Sequence, residues 1–277
     1  MKDLHKLAIE IAEVYGRKEK VHSVMLAGSV SRGLCDEFSD IELYVLWDHA
    51  PSDEDRKDAM HQLDGTLISF FDYEDEEWSE AYSVQGVKIE VSNFLVSTIE
   101  KVIDDITIKM EMDIDKQAIV ASVHDGIPLY GKEKIIEWKD QVKTYPEELR
   151  RNMIEAQLFF SSRWSAREAF IHRGDFFIYQ KVASDVMDKV LFILHGLNGM
   201  YVVHPAFKWL SYTISKMGRK PEDLENRIKQ IIHSPSIQSM RDLERLLSET
   251  MDLVETYMPS IETHGFRKQI TGSRSIK

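Results

Sequence analysis

Cysteine is nearly absent. Cys35 is the single one among 277 residues, so no internal disulfide can form and no cysteine-based zinc site can be assembled. The ten histidines show no HxxxH-type spacing, which argues against zinc held by imidazoles. Long apolar runs are missing as well. No stretch approaches the roughly 18 consecutive apolar residues of a membrane span, and MKDLHKLAIEIAEVYGRKEK lacks the apolar centre of a signal peptide. These absences set the expectation of a cytoplasmic protein. Basic residues are scarce in the first half: residues 1–140 hold 15 Lys and Arg against 31 Asp and Glu, a net of −16. Residues 141–277 hold 20 against 16, and the whole chain carries −12. A nucleic-acid binder needs the opposite balance to neutralise backbone phosphates, so no nucleic-acid partner is expected. The acidic balance suits a small cationic substrate instead.

What is present is enough apolar sequence, 43% of residues, to bury a sizeable core. The length fits one large or two moderate domains at about 100–200 residues each. Helical spacing over Leu4–Tyr15 predicts a first helix. A β-rich run follows at 21–27, then alternation over Asp40–Leu46, a polar helix over 51–64 and a strand over 66–71. After an acidic stretch, period two returns over Val87–Phe94. A helix fits 97–110, and 118–130 reads as a last strand and turn. Further on, helical periodicity fills 147–172, 175–196, 205–217, 221–232 and 236–257, broken by Gly174, Gly199, Gly218 and the prolines Pro205, Pro221 and Pro235. The tail after Pro259 is polar and is read as mobile. The plan is a mixed α and β domain over 1–135 and a helical domain over 136–277.

The chemistry concentrates in Leu26-Ala-Gly-Ser-Val-Ser-Arg-Gly-Leu34 and Ser39-Asp-Ile-Glu-Leu-Tyr44. A strand ends at Gly28-Ser29 and a short helix is expected to begin near Val30, where free backbone N–H groups favour a phosphate. Gly28 permits close backbone approach and the Ser29 hydroxyl is a donor. Asp40 and Glu42, at i and i+2 on a strand, project from one face about 6.5–7 Å apart. Glu90 shares its face of Val87–Phe94 with Lys88 and Ser92, opposite Val87, Ile89 and Val91. If the two strands are neighbours, three carboxylates converge and need a cation or proton to offset their repulsion. Oxygen ligands beside a phosphate site suit Mg²⁺.

Gly28-Ser29, Asp40-x-Glu42 and a later acidic strand residue resemble the nucleotidyltransferase superfamily with the DNA-polymerase-beta-type palm. The similarity covers about residues 21–95. With a helical second domain it is most similar to the bacterial antibiotic nucleotidyltransferases, lincosamide enzymes first and aminoglycoside enzymes behind them. The resemblance implies an α+β fold, in which a palm of mixed sheet and flanking helices precedes an all-α bundle. It implies ATP or another NTP as co-substrate, two Mg²⁺ ions on Asp40 and Glu42, and the triphosphate on Gly28 and Ser29. Glu90 is implied either as the base toward an acceptor hydroxyl or as the third metal ligand. AMP would pass to a small molecule, an antibiotic being one candidate, with release of pyrophosphate. Homodimers occur among such relatives. The alternative is a non-catalytic, regulatory or antitoxin-like protein on the same fold; a polynucleotide-adding enzyme is disfavoured by the acidic first half.

Several other residues carry two readings. Arg32 is a phosphate contact or an exposed helix arginine. Asp72–Glu80, with six acidic residues, is a solvated loop or the acidic wall of an acceptor pocket with Trp78 as a stacking surface. Lys181, Lys189 and above all Lys208, in Phe207-Lys-Trp-Leu210, are triphosphate contacts or surface charges. Trp164, Phe170, Tyr179 and Trp209 read as core residues. Arg167-x4-His172 matches a HEPN-type ribonuclease spacing, but reads equally as the end of a helix.

Overall fold

The computed structural model describes residues 3–272, which divide into two compact units, Met1–Thr144 and Tyr145–Lys277 by their ends in the sequence. The first unit is α+β. Its elements run α1 (Leu4–Gly16), β1 (Val21–Ala27), α2 (Gly28–Ser31), β2 (Ile41–Trp47), α3 (Asp53–Gln62), β3 (Thr66–Phe70), β4 (Trp78–Val84), β5 (Val87–Leu95), α4 (Val96–Thr107), α5 (Ile114–Asp125), β6 (Ile127–Tyr130) and α6 (Lys132–Val142). The six strands form one mixed sheet in the order β3-β4-β5-β2-β1-β6. Only β2 and β5 run parallel, in a register that sets Ile41 beside Ile89 and Glu42 beside Glu90.

Alternation along these strands decides what each face does. Ile41, Leu43, Val45 and Trp47 of β2 join Val87, Ile89 and Val91 of β5 in a core with Leu7, Ile11 and Tyr15 of α1 and Ala59 and Met60 of α3. The intervening Glu42, Tyr44 and Leu46, and Lys88, Glu90, Ser92 and Phe94, therefore take the opposite face. The helices α4, α5 and α6 contact strands of the same sheet. The boundary lies after Thr144 and not at 135, because α6 packs on β1, β6, α4 and α5 through the buried Ile135, Trp138 and Val142.

Two elements of this unit differ from the sequence reading. Residues 114–125 are helical although Ala118-Ile-Val-Ala-Ser-Val123 is β-rich; Asp113 caps the helix by accepting from Lys116 N at 2.9 Å. β4 falls partly within the acidic stretch. Its period-two signal is hidden because an inward position holds Glu80, buried at 4% exposure together with Arg56 of α3 at 1%. Arg56 Nε donates to Glu80 Oε2 at 2.8 Å and Nη2 to Phe71 O at 2.7 Å, while Asn93 Nδ2 donates to Glu80 Oε1 at 2.9 Å. α3 is thus a surface helix with one fully buried charge. A buried pair of this kind is held by its hydrogen bonds rather than by net Coulomb gain.

The second unit is all-helical: α7 (Glu147–Glu155), a short 3₁₀ turn (Trp164–Ala166), α8 (Arg167–Arg173), α9 (Phe176–Asn198), α10 (Leu210–Lys216), α11 (Leu224–His233), α12 (Ile237–Tyr257) and α13 (His264–Ile270). Val182, Val186, Val190 and Leu194 of α9 pack with Leu243, Leu247 and Met251 of α12 in its core. The stretch 147–172 is two helices joined by the turn. The chain after Pro259 is not loose as expected, since Phe266 and Ile270 are buried in the core. Arg167 latches this end: Nη2 donates to Ile270 O at 3.0 Å, Nη1 to Gly272 O at 2.8 Å and Nε to Glu244 Oε1 at 2.8 Å. Residues 273–277 of the expected tail lie outside the described residues. Among the described residues no helix is long and apolar enough to cross a membrane.

Candidate functional site

The outlet of β1 and the starts of β2 and β5 bring Asp40, Glu42 and Glu90 together. One carboxylate oxygen from each lies within 4.8 Å of the other two, and all three side chains are half-buried. The cause is the parallel register: Glu42 and Glu90 are direct neighbours on one face, and Asp40 stands one residue before β2. Ala27 pairs with Glu42 across β1 and β2, which brings the chain's turn at Gly28 onto the same carboxylate.

Gly28 has no alternative there. Its φ is +66°, and a Cβ would lie 2.5 Å from Glu42 Oε1 and 2.6 Å from Oε2. The backbone of Gly28 and the carboxylate of Glu42 thus share one space that only glycine leaves open. Ser29 follows, 6% exposed. Its hydroxyl reaches Ser39 Oγ at 3.5 Å, the outer limit of a hydrogen bond, so it retains donor capacity for a stronger acceptor. α2 begins at Gly28 rather than Val30 and is four residues long. So short a helix has little macrodipole, and any anion held here depends on the individual N–H and O–H donors.

Arg32 is engaged within the protein. Nε donates to Asp125 Oδ2 at 2.7 Å and Nη1 to Gly28 O at 3.3 Å, with the side chain 7% exposed. Burial would raise the Asp125 carboxyl, but hydrogen bonds from His124 and Arg32 outweigh it and hold the pKa below the ordinary carboxylate value. Arg32 therefore braces the Gly28 turn against the end of α5. Lys88, not singled out as a site residue in the sequence, bonds Glu90 and stands 3.8 Å from Asp40 Oδ2. The bond to Glu90 is the largest cause of a raised Lys88 pKa, with Asp40 and Glu42 adding to it. Its signal was visible as the i, i+2 relation to Glu90 on one strand face.

The donor set of three carboxylates, without histidine or cysteine, fits a hard divalent cation such as Mg²⁺ or Mn²⁺. The glycine cradle behind Glu42 fits the same purpose, because it lets the carboxylate lie against backbone instead of swinging into solvent.

Along the same face from Glu90, Ser92 is followed by Phe94, and Tyr44 of β2 meets the Phe94 ring edge-on at 5.1 Å between centroids. Burial pushes the Tyr44 phenol up to about 12, with Glu77 and Glu42 both contributing. Beyond it lies a cavity of about 670 Å³, lined by Phe71, Phe94, Val102 and Ile119, by Asp72, Glu74, Asp75, Glu76, Glu77, Asp113 and Asp115, and by Lys116. Burial, then Asp75 and Glu80, push Glu77 up to about 7. Ser79 also lines the cavity; it pairs with Ser92, as Ala81 pairs with Glu90, which puts the cavity on the carboxylate face. Trp78 does not fit the stacking role. It pairs with Asn93 on the opposite face and packs on Tyr73 at 4.4 Å.

The remaining candidates lie in the second unit. Lys208 is exposed between two residues of positive φ, Phe207 at 52° and Trp209 at 61°. Lys181 and Lys189 lie over the rings of Phe177 and Phe159, at 4.6 and 3.7 Å. Trp164 and Tyr179 are core residues, Phe170 packs on the core and Trp209 is half-buried. Arg167 is 2% exposed and fully used by the latch, whereas the His172 side chain is 63% exposed. The two do not form a ribonuclease pair.

A family model described as a domain of unknown function (DUF4037) matches residues 112–210, a span that excludes Gly28, Asp40, Glu42 and Glu90. No curated protein matches the sequence. Among solved structures, a nucleotidyltransferase-like protein from Exiguobacterium sibiricum 255-15 is similar over 95% of this chain and 78% of that one, at 12% identity and a TM-score of 0.42.

Proposed function

We propose that this chain is a metal-dependent nucleotidyltransferase that moves AMP from ATP onto a hydroxyl of a small, amine-bearing molecule. The observation that carries the proposal is the meeting of Asp40, Glu42 and Glu90 directly on the Gly28-Ser29 turn. The motif order, Gly-Ser then Asp-x-Glu then a strand carboxylate, supports the same reading from the sequence. Two Mg²⁺ ions held by the three carboxylates would supply charge neutralisation of the triphosphate and polarisation of its α-phosphate. Gly28 leaves the room in which the Glu42 ligand is seated at the phosphate turn, and Ser29 donates to a phosphate oxygen. Glu90 completes the ligand set, and its second oxygen takes the proton of the acceptor hydroxyl. The acceptor oxygen bonds to the α-phosphorus as the bond to the β-phosphate oxygen breaks, and pyrophosphate leaves.

The acidic cavity on the Glu90 face supports a cationic acceptor. Seven carboxylates lining the cavity together with Phe71, Phe94 and Ile119 suit a molecule with several ammonium groups on a ring scaffold. Aminoglycosides satisfy that description better than lincosamides, which carry less charge. The test is a pyrophosphate-release screen with Mg²⁺, each of the four NTPs and a panel of aminoglycosides, lincosamides and simple sugar alcohols. Acceptor-dependent release that disappears in Asp40→Ala is the expected result. An intact protein that binds no NTP in the presence of Mg²⁺ would contradict the proposal.

A further inference from the structure

We propose that Lys88 is a built-in counter-ion of the carboxylate site, whose ammonium takes the place of one divalent cation until that cation displaces it. The inference rests on the nucleotidyltransferase reading of the three carboxylates and adds a residue to it. Lys88 and Glu90 occupy successive outward positions on one face of β5, so the lysine stem runs along the strand toward the glutamate. Its Nζ is bonded to Glu90 Oε1 and stands 3.8 Å from Asp40 Oδ2. One ammonium thus bridges two of the three groups that form the cation site.

Two consequences follow from charge alone. A divalent ion entering between Asp40 and Glu90 meets a positive charge at contact distance, and it binds more weakly than the three carboxylates would otherwise allow. The side chains of Lys88 and Glu90 are 45% and 44% exposed, so the ammonium can swing into water at the small cost of a solvent-screened ion pair. Once displaced, it carries three N–H donors beside Asp40, where phosphate oxygens of a metal-bound nucleotide would replace the carboxylate it has lost. Lys88 therefore lowers affinity for the bare metal and raises it for the metal–nucleotide pair. The site is biased against loading without nucleotide.

The experiment is Mn²⁺ binding to the full-length protein, followed by the electron paramagnetic resonance signal of free Mn²⁺, with and without a non-hydrolysable ATP analogue. Lys88→Met is expected to bind bare Mn²⁺ roughly three- to tenfold more tightly than the wild type, and Mn²⁺ with the analogue more weakly. Lys57→Met removes the same charge from α3, where Lys57 pairs with Asp53 and lies over Phe70. It should change neither affinity. Equal Mn²⁺ affinity in wild type and Lys88→Met, or an equal gain in Lys57→Met, overturns the counter-ion role while leaving the metal site standing. Absence of Mn²⁺ binding in all three proteins overturns the carboxylate-site reading and the counter-ion role with it.

Discussion

Gly28→Ala places two separate costs on the carboxylate site. The first is conformational. At φ +66° an L-residue is in the left-handed region, which costs about 1–2 kcal/mol. The second is steric. The new methyl would sit 2.5 Å from Glu42 Oε1, whereas ordinary contact begins near 3.4 Å. The carboxylate has to retreat by close to 1 Å, which its flexible side chain can do at little cost in stability but at a large cost in ligand geometry. A displaced or misoriented ligand typically lowers metal affinity about 10–100-fold. Gly33 separates the two effects, because its φ is +71° and nothing lies within 4 Å of its Cβ position. Urea denaturation should show similar losses of about 1–2 kcal/mol for Gly28→Ala and Gly33→Ala. Mn²⁺ titration should show loss of affinity in Gly28→Ala alone. Wild-type Mn²⁺ affinity in Gly28→Ala would refute the argument that the glycine exists to seat Glu42.

Three further outcomes follow from the packing. Arg56→Met leaves Glu80 buried without its ion-pair partner and should cost about 3–5 kcal/mol in urea denaturation, part of it recovered in Arg56→Met/Glu80→Gln; a loss under 1 kcal/mol would mean the pair contributes little. Glu77, at about 7 against an ordinary 4.5, holds its proton more tightly folded than unfolded, so its contribution to stability falls as pH rises from about 4.5 to 7. Glu77→Gln should therefore be more stable than wild type above pH 7, by on the order of 1 kcal/mol at this half-buried site, and no different below pH 4; identical stability profiles would show that Glu77 titrates normally. Arg167→Ala should free α13 and speed tryptic cleavage at Arg267 and Lys268, while His172→Ala leaves the digestion pattern unchanged. Equal cleavage of Arg167→Ala and wild type would place the latch elsewhere.

The convergence of Asp40, Glu42 and Glu90 was legible because period-two alternation fixes a face, and two strands with the same pattern need only become neighbours. The α+β plan followed from the change of period along the chain. What stayed hidden depended on partners remote in sequence. β4 was invisible because Glu80 looks like solvent-facing charge until Arg56, from a helix 24 residues earlier, neutralises it. α5 reads as a strand in the sequence because its β-branched residues outweigh the cap at Asp113. α13 read as a loose tail because its two buried residues, Phe266 and Ile270, are too few to make a period, and Arg167 reaches it across 103 positions. The acidic cavity was half-legible: part of its lining is the Asp72–Glu77 stretch, but the rest comes from β4, β5, α4 and α5, and the expected aromatic, Trp78, faces the other way.

Metal-dependent nucleotide binding at the carboxylate site is tested by calorimetric titration of a non-hydrolysable ATP analogue into the full-length protein, with Mg²⁺ and then with excess chelator, in wild type and Asp40→Asn. Saturable binding that requires Mg²⁺ and is lost in Asp40→Asn, with the variant's fold unchanged by circular dichroism, is the expected result. Binding of equal strength without Mg²⁺, or undiminished binding in Asp40→Asn, would contradict it.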